Sequence, residues 1–220
     1  MSLSTKAKPL LAAVLCATLA ACGSPAPVAY SGIASSSQLV PNRQDDAAGI
    51  PYRYSTPVDW QAYNRAIVEP VVVYQGPDAQ FDDMSAKDKA ELASYMQSQF
   101  TEKLRSRFTI ATDPAPATLR VRLTLTGAAT NTPVISTFSH LDLAGNLYNG
   151  VQAVRGGEGM ISGSVTYAVE IYDAPANRLL SAFVSKQYPG SMNIMASFGS
   201  LGAAKTGIEK GAEALVTSFK

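Results

Sequence analysis

The spacing of apolar residues changes several times along this chain, and each change predicts an element. Thr118 to Thr126 alternates, with Leu119, Val121, Leu123 and Leu125 on one face and Arg120, Arg122, Thr124 and Thr126 on the other. That period of two marks a half-buried strand. Arg65 to Tyr74 is β-branched and apolar, and predicts a strand at an edge or bulged at Pro70, because proline donates no ladder bond. Residues 160–172 and 179–187 alternate around Asp173-Ala174-Pro175-Ala176-Asn177, which predicts a hairpin. Between the first two strands the period lengthens. Leu92, Met96, Phe100 and Leu104 recur every four residues behind a capping Ser85 and Asp88, the pattern of a helix with one buried face. Ile208, Ala212, Leu215 and Phe219 give a second helix across 201–219. The expected fold is therefore α/β, an α+β sandwich. It has about four strands in a mixed or antiparallel sheet, two helices on one face, and the order β-α-β-β-β-α.

The chain opens differently. Pro9 to Leu19 is apolar without a period, follows Lys6 and Lys8, and ends at Leu19-Ala20-Ala21-Cys22. It is shorter than the ~20 residues that cross a bilayer, and it has the layout of a signal peptide. The small residues before Cys22 look like a bacterial lipobox. That resemblance implies cleavage before Cys22, acylation of its thiol, and attachment to the membrane through lipid. Gly23 stands where an aspartate would imply inner-membrane retention, so the implied destination is the periplasmic side of the outer membrane. The expected division is 1–21 as leader, 22–57 as a flexible Ser-, Ala- and Pro-rich tether with Tyr30-Ser31-Gly32-Ile33 and Leu39-Val40-Pro41 as local anchors that can dock on the domain, and 58–220 as one periplasmic domain. The leader removes two of 18 basic residues, which leaves 16 against 17 acidic ones and a net charge of −1. Such a balance offers no footprint for nucleic acid. The two cysteines are Cys16 and Cys22, so a processed chain has no disulfide and no unmodified thiol.

Candidate chemistry is sparse. The only histidine, His140, cannot build a metal site by itself, and there is no Gly-x-Ser-x-Gly elbow and no phosphate loop. Neither a metal nor a cofactor is expected, and the chain is not read as an enzyme. Gly127 to Met160 stands apart, being long, rich in small residues and without a clear period. Loops beyond ~15 residues in compact domains are usually functional or disordered. Phe138, Leu141 and Tyr148 are its candidate partner-binding residues, with Arg120 and Arg122 beside them. The alternatives are a segment packed into the core and, for the arginines, a solvated sheet face.

Some short motifs carry a further resemblance: Tyr30-Ser31-Gly32, Leu39 with Pro41, Asp59-Trp60 with Tyr63, Glu69-Pro70-Val71, Thr118-Leu119-Arg120-Val121, and Asp173 followed by Leu179-Leu180. In these the chain resembles a family of proteobacterial lipoproteins, domain-of-unknown-function family 3313, and departs from it where Ala176-Asn177 replaces a Thr-Gly pair. The resemblance implies location and fold, and no activity. Its architecture is similar to small α/β domains of other envelope lipoproteins that bind proteins. The leading expectation is thus a protein-interaction or structural module of the cell envelope with an envelope protein as partner. The alternatives are a small-ligand or lipid-binding lipoprotein and, third, a cell-wall hydrolase. A closed apolar pocket favours the ligand binder, clustered carboxylates in a cleft the hydrolase, and a flat exposed patch around the long loop the interaction module. The sequence leaves the oligomeric state open.

Overall fold

The computed structural model describes residues 26–43, 49–130, 163–189 and 199–220. Its strands are β1 (Val40–Pro41), β2 (Tyr52–Ser55), β3 (Arg65–Val68), β4 (Val72–Val73), β5 (Thr109–Ile110), β6 (Thr118–Ala129), β7 (Ser164–Asp173) and β8 (Arg178–Gln187). The helices are α1 (Ala86–Leu104) and α2 (Gly202–Thr217). All eight strands form one mixed sheet, ordered β1-β2-β8-β7-β6-β3-β5, with β4 also on β6. From β6 to β1 the pairs are antiparallel, whereas β3 and β4 run parallel to β6.

The expected class holds, but four strands was an underestimate. The strand foreseen at 65–74 divides at Pro70 into β3 and β4, both against β6. Glu69 N–H still donates to the Val121 carbonyl at 2.9 Å, while Val71 N–H turns to Gln97 Oε1 of α1 at 2.8 Å. The lost ladder bond is thus replaced by a helix side chain. β6 extends through Gly127 to Ala129, so the first residues of the segment set apart at Gly127 belong to the sheet.

Both helices cover one face. Ser85 caps α1, its Oγ accepting from Asp88 N–H at 3.1 Å and donating to Asp88 Oδ2 at 2.8 Å. Leu92, Met96, Phe100 and Leu104 of α1 meet Leu119, Val121, Leu123 and Leu125 of β6 in one core, joined by Ile208, Ala212 and Leu215 of α2. Lys205 of α2 pairs with Glu91 of α1 at 2.7 Å and ties the helices together at their exposed side.

The other face is covered by part of the segment expected as a tether at 22–57, and the local anchors foreseen at Tyr30-Ser31-Gly32-Ile33 and Leu39-Val40-Pro41 dock on the domain. Residues 26–39 lie across this face as a strap, and β1 and β2 extend the sheet. Tyr30, Ile33 and Leu39 are buried with Tyr74, Ala168, Ala182 and Val184. Tyr30 hydroxyl donates to Gln80 Oε1 at 2.7 Å, and Gly32 N–H to Tyr74 Oη at 2.9 Å. Ser31 N–H reaches Asp78 Oδ2, also at 2.9 Å. The segment consists mostly of small residues, and a few large side chains placed over small ones bind it. Leu180, Ala182 and Val184, expected on one face of the returning strand, divide: Leu180 joins the helix-side core and the other two lie under the strap. A register shift between Ile171 and Tyr172 accompanies the change.

Candidate functional site

α2 approaches the sheet closely because Gly211 lies against Tyr167. A Cβ there would stand 1.8 Å from the Tyr167 hydroxyl. Beyond α2, the helix-side surface of β8 and β2 forms the floor of a groove of about 370 Å³. Ser181, Phe183 and Ser185 of β8 face it, paired across the ladder with Ile171, Val169 and Tyr167. Leu215 of α2 forms one wall, Val58 and Trp60 another, and Ile50 and Arg53 border it on the β2 side. Trp60 stands edge-on to Phe219 with centroids 5.1 Å apart, which holds the indole at the rim. Tyr167 is fully buried in the floor, and burial pushes its hydroxyl up to about 12, against a smaller opposing effect of its hydrogen bond with Ser185. The phenol is therefore neutral at any physiological pH. Among the described residues no carboxylate lines the groove. It offers an apolar cavity fringed by hydroxyls and one guanidinium, a composition suited to holding an apolar body.

Sequence reasoning missed this site. Ser181, Phe183, Ser185 and Gln187 read as the polar side of a half-buried strand. The available signal was that such a run of small polar residues carries one Phe, and that the chain's single tryptophan sits just after the strand-forming residues 52–55.

Arg120 and Arg122 lie on the strap-side face, across the ladder from Tyr172 and Glu170. Arg122 Nε donates to Glu69 Oε2 at 2.7 Å, and its terminal nitrogen is 3.9 Å from Glu170 Oε2. Arg120 Nε is 3.3 Å from Glu69 Oε1 but lacks hydrogen-bond alignment. Both guanidinium groups lie over the Tyr172 ring, 4.6 and 5.6 Å from its centroid, and Arg120 also donates to the Asn177 side chain. The hydrogen bond to Glu69 holds the Arg122 guanidinium above its usual range. Glu170 is 1% exposed and accepts from the Ser35 backbone N–H at 2.7 Å and the Tyr172 hydroxyl at 3.2 Å. The arginines belong to a network that ends on the strap, beside an open cleft of about 520 Å³ lined by Gln38, Tyr54 and Arg178. A buried carboxylate needs such partners.

Of the remaining candidates, Cys22, Phe138, Leu141 and Tyr148 lie outside the described residues, as do the leader and His140. Among the described residues no cluster of three or more His, Cys, Asp or Glu could hold a metal ion. Nor is any described helix long and apolar enough to cross a membrane.

This sheet, its two-helix cover and its strap are the fold of a family without an assigned activity. The family described as "Protein of unknown function (DUF3313)" matches residues 29–215, and the chain belongs to it. No curated protein matches significantly. Among solved structures, PelC from Paraburkholderia phytofirmans is similar at 12% identity with a TM-score of 0.38, over 74% of this chain and 93% of PelC. A DUF4136 family protein from Bacteroides thetaiotaomicron is similar at 13% identity with a TM-score of 0.40, over 80% of this chain and 98% of that one. At these values the likenesses carry no functional weight.

Proposed function

We propose that this protein is an outer-membrane lipoprotein, acylated on Cys22, whose periplasmic domain binds a small amphiphilic ligand in the groove between β8 and α2. The groove carries the reading: it is concave, mostly apolar in its exposed surface and of the size that accepts a small ligand. Arg53 at its edge suits an anionic head group, so a single acyl chain ending in a carboxylate is the favoured class. The lipobox at Cys22 supports the anchor. The domain acts as a binding protein and not as an enzyme. Protein interaction is the second reading, favoured by Val40 on β1 and Val72 on β4, which are 59% and 54% exposed on outer strands. Open strand edges accept another chain by ladder pairing.

Trp60 is the chain's only tryptophan and lines the groove, so it reports binding without a label. Titration of the vesicle-reconstituted protein with a brominated fatty acid should quench Trp60 emission saturably. Ala214→Phe, which fills the groove from an exposed helix position, should abolish the saturable phase. Quenching that is linear in both proteins would refute the ligand reading. Mass spectrometry of the same preparation should show an acylated N-terminal Cys22, and an unmodified cysteine there would refute the anchor.

A further inference from the structure

The strap has a consequence for how the domain meets the membrane. Ala26 is the first described residue, and its carbonyl accepts from Gln80 Nε2 at 2.8 Å. Gln80 in turn is bound to the end of β6, donating its N–H to the Thr126 carbonyl at 2.9 Å and accepting from Ala128 N–H at 3.0 Å. Gly127 permits this closeness, since a Cβ there would stand 2.6 Å from the Gln80 carbonyl oxygen. The chain thus enters the domain at one pole of the sheet, where β6 ends and β7 begins. Four residue steps separate Cys22 from Ala26, which reach at most ~14 Å when fully extended.

Thr130 and Gly163 lie at the same pole, beside the ends of β6 and β7. Residues 190–198 follow the end of β8 and lead to α2, whose Gly207 packs near Val165 and Gln187. Gly49, after residues 44–48, accepts from Lys186 N–H at 2.8 Å on β8. The opposite pole holds the β7–β8 turn at 174–177 and the Asp113 region, about 40 Å away along the twelve residues of β6.

We infer that the domain is not suspended above the bilayer but rests on it, with the pole formed by Gln80, Asp83 and Thr130 facing the lipid head groups and the β7–β8 turn facing away. The inference rests on the proposed acylation of Cys22. A tether of 36 residues would permit any orientation, whereas a link of four steps fixes which pole is near the membrane.

The test uses thiol chemistry, because an acylated Cys22 leaves the mature chain without a free thiol. Single cysteines at the exposed positions Asp83, Thr130, Thr112 and Ala176 are labelled with a fluorophore in the full-length, membrane-reconstituted protein. Vesicles of phosphatidylethanolamine and phosphatidylglycerol carry a head-group spin-label quencher. Labels at Asp83 and Thr130 should be quenched at least threefold more than those at Thr112 and Ala176. Equal quenching at the four sites, or stronger quenching at the last two, overturns the orientation. A spacer of twenty Gly and Ser residues inserted after Gly23 should erase the contrast, and its persistence would overturn the short-link argument. Wild-type protein that takes up the thiol label shows instead that Cys22 is not acylated, which defeats the proposed anchor and the orientation derived from it.

Discussion

Asp78 holds two parts of the strap-side face together. One carboxylate oxygen accepts the Tyr74 hydroxyl at 2.6 Å, and the other accepts Ser31 N–H at 2.9 Å. Desolvation raises its pKa, but these hydrogen bonds outweigh that effect and hold it below the ordinary 3.8. A carboxyl whose pKa is lower in the folded state adds stability that is fully present above the unfolded value. That stability is lost as pH falls through the folded one. Asp78→Asn should therefore flatten the loss of thermal stability below about pH 4. Near neutrality it should cost about 1 kcal/mol, because the amide keeps an acceptor but no charge. Melting curves from pH 2 to 7 check both limbs, and parallel acid limbs in the two proteins would remove Asp78 from the strap's hold. This contact was only partly legible in sequence. Tyr30 and Gly32 stood out within a stretch of small residues, but nothing local joins Ser31 to Asp78, 47 residues away. The same limit hid the Glu69, Arg122 and Glu170 network, whose members come from the β3–β4 link, β6 and β7 and meet through strand register.

Among elements, α2 shows how a small residue sets the position of a larger body. With Gly211 against the Tyr167 hydroxyl, the helix sits close enough to bury Ile208, Ala212 and Leu215. Gly211→Ala should lower stability by about 1–3 kcal/mol through overpacking, despite the better helix propensity of alanine. Tyr167→Phe should recover part of that loss by removing the nearest clashing atom. Denaturant unfolding of the single and double variants measures the coupling, and additive effects would show that the helix position has another cause. The long elements were legible because their apolar residues keep period: Leu92 to Leu104 at every fourth position, and Leu119 to Leu125 at every second. β1, β4 and β5 each span two residues, too few to show a period, and depend on neighbours for their existence. β2 was missed for a related reason, because Tyr52, Arg53, Tyr54 and Ser55 are only partly buried or exposed, and their strand character comes from pairing with β8. Asn177 is a milder case. It takes φ of +52° in the hairpin turn, a conformation asparagine tolerates better than most residues.

At the scale of the molecule, the sheet joins the two ends of the sequence. Ser35 reaches Glu170 across 135 positions, and Thr56 reaches Leu180 across 124. β2 has no partner on its inner side until β8 is present. Pairings so distant in sequence slow folding, because the loop must close before the contact contributes. Pulsed hydrogen exchange during refolding should show amides of β6 and β7 protected before those of Gly32, Ser35 and Tyr52–Ser55. Simultaneous protection would point to a single cooperative step. The order matters for a chain that emerges N-terminus first, whether from a ribosome or through a membrane pore. Its earliest residues then have nothing to fold onto until residues 178–187 have also emerged. The strap is thus a timing device as well as a fastener: residues 26–39 lack the surface they cover until β7 and β8 have formed, and they close over the sheet late.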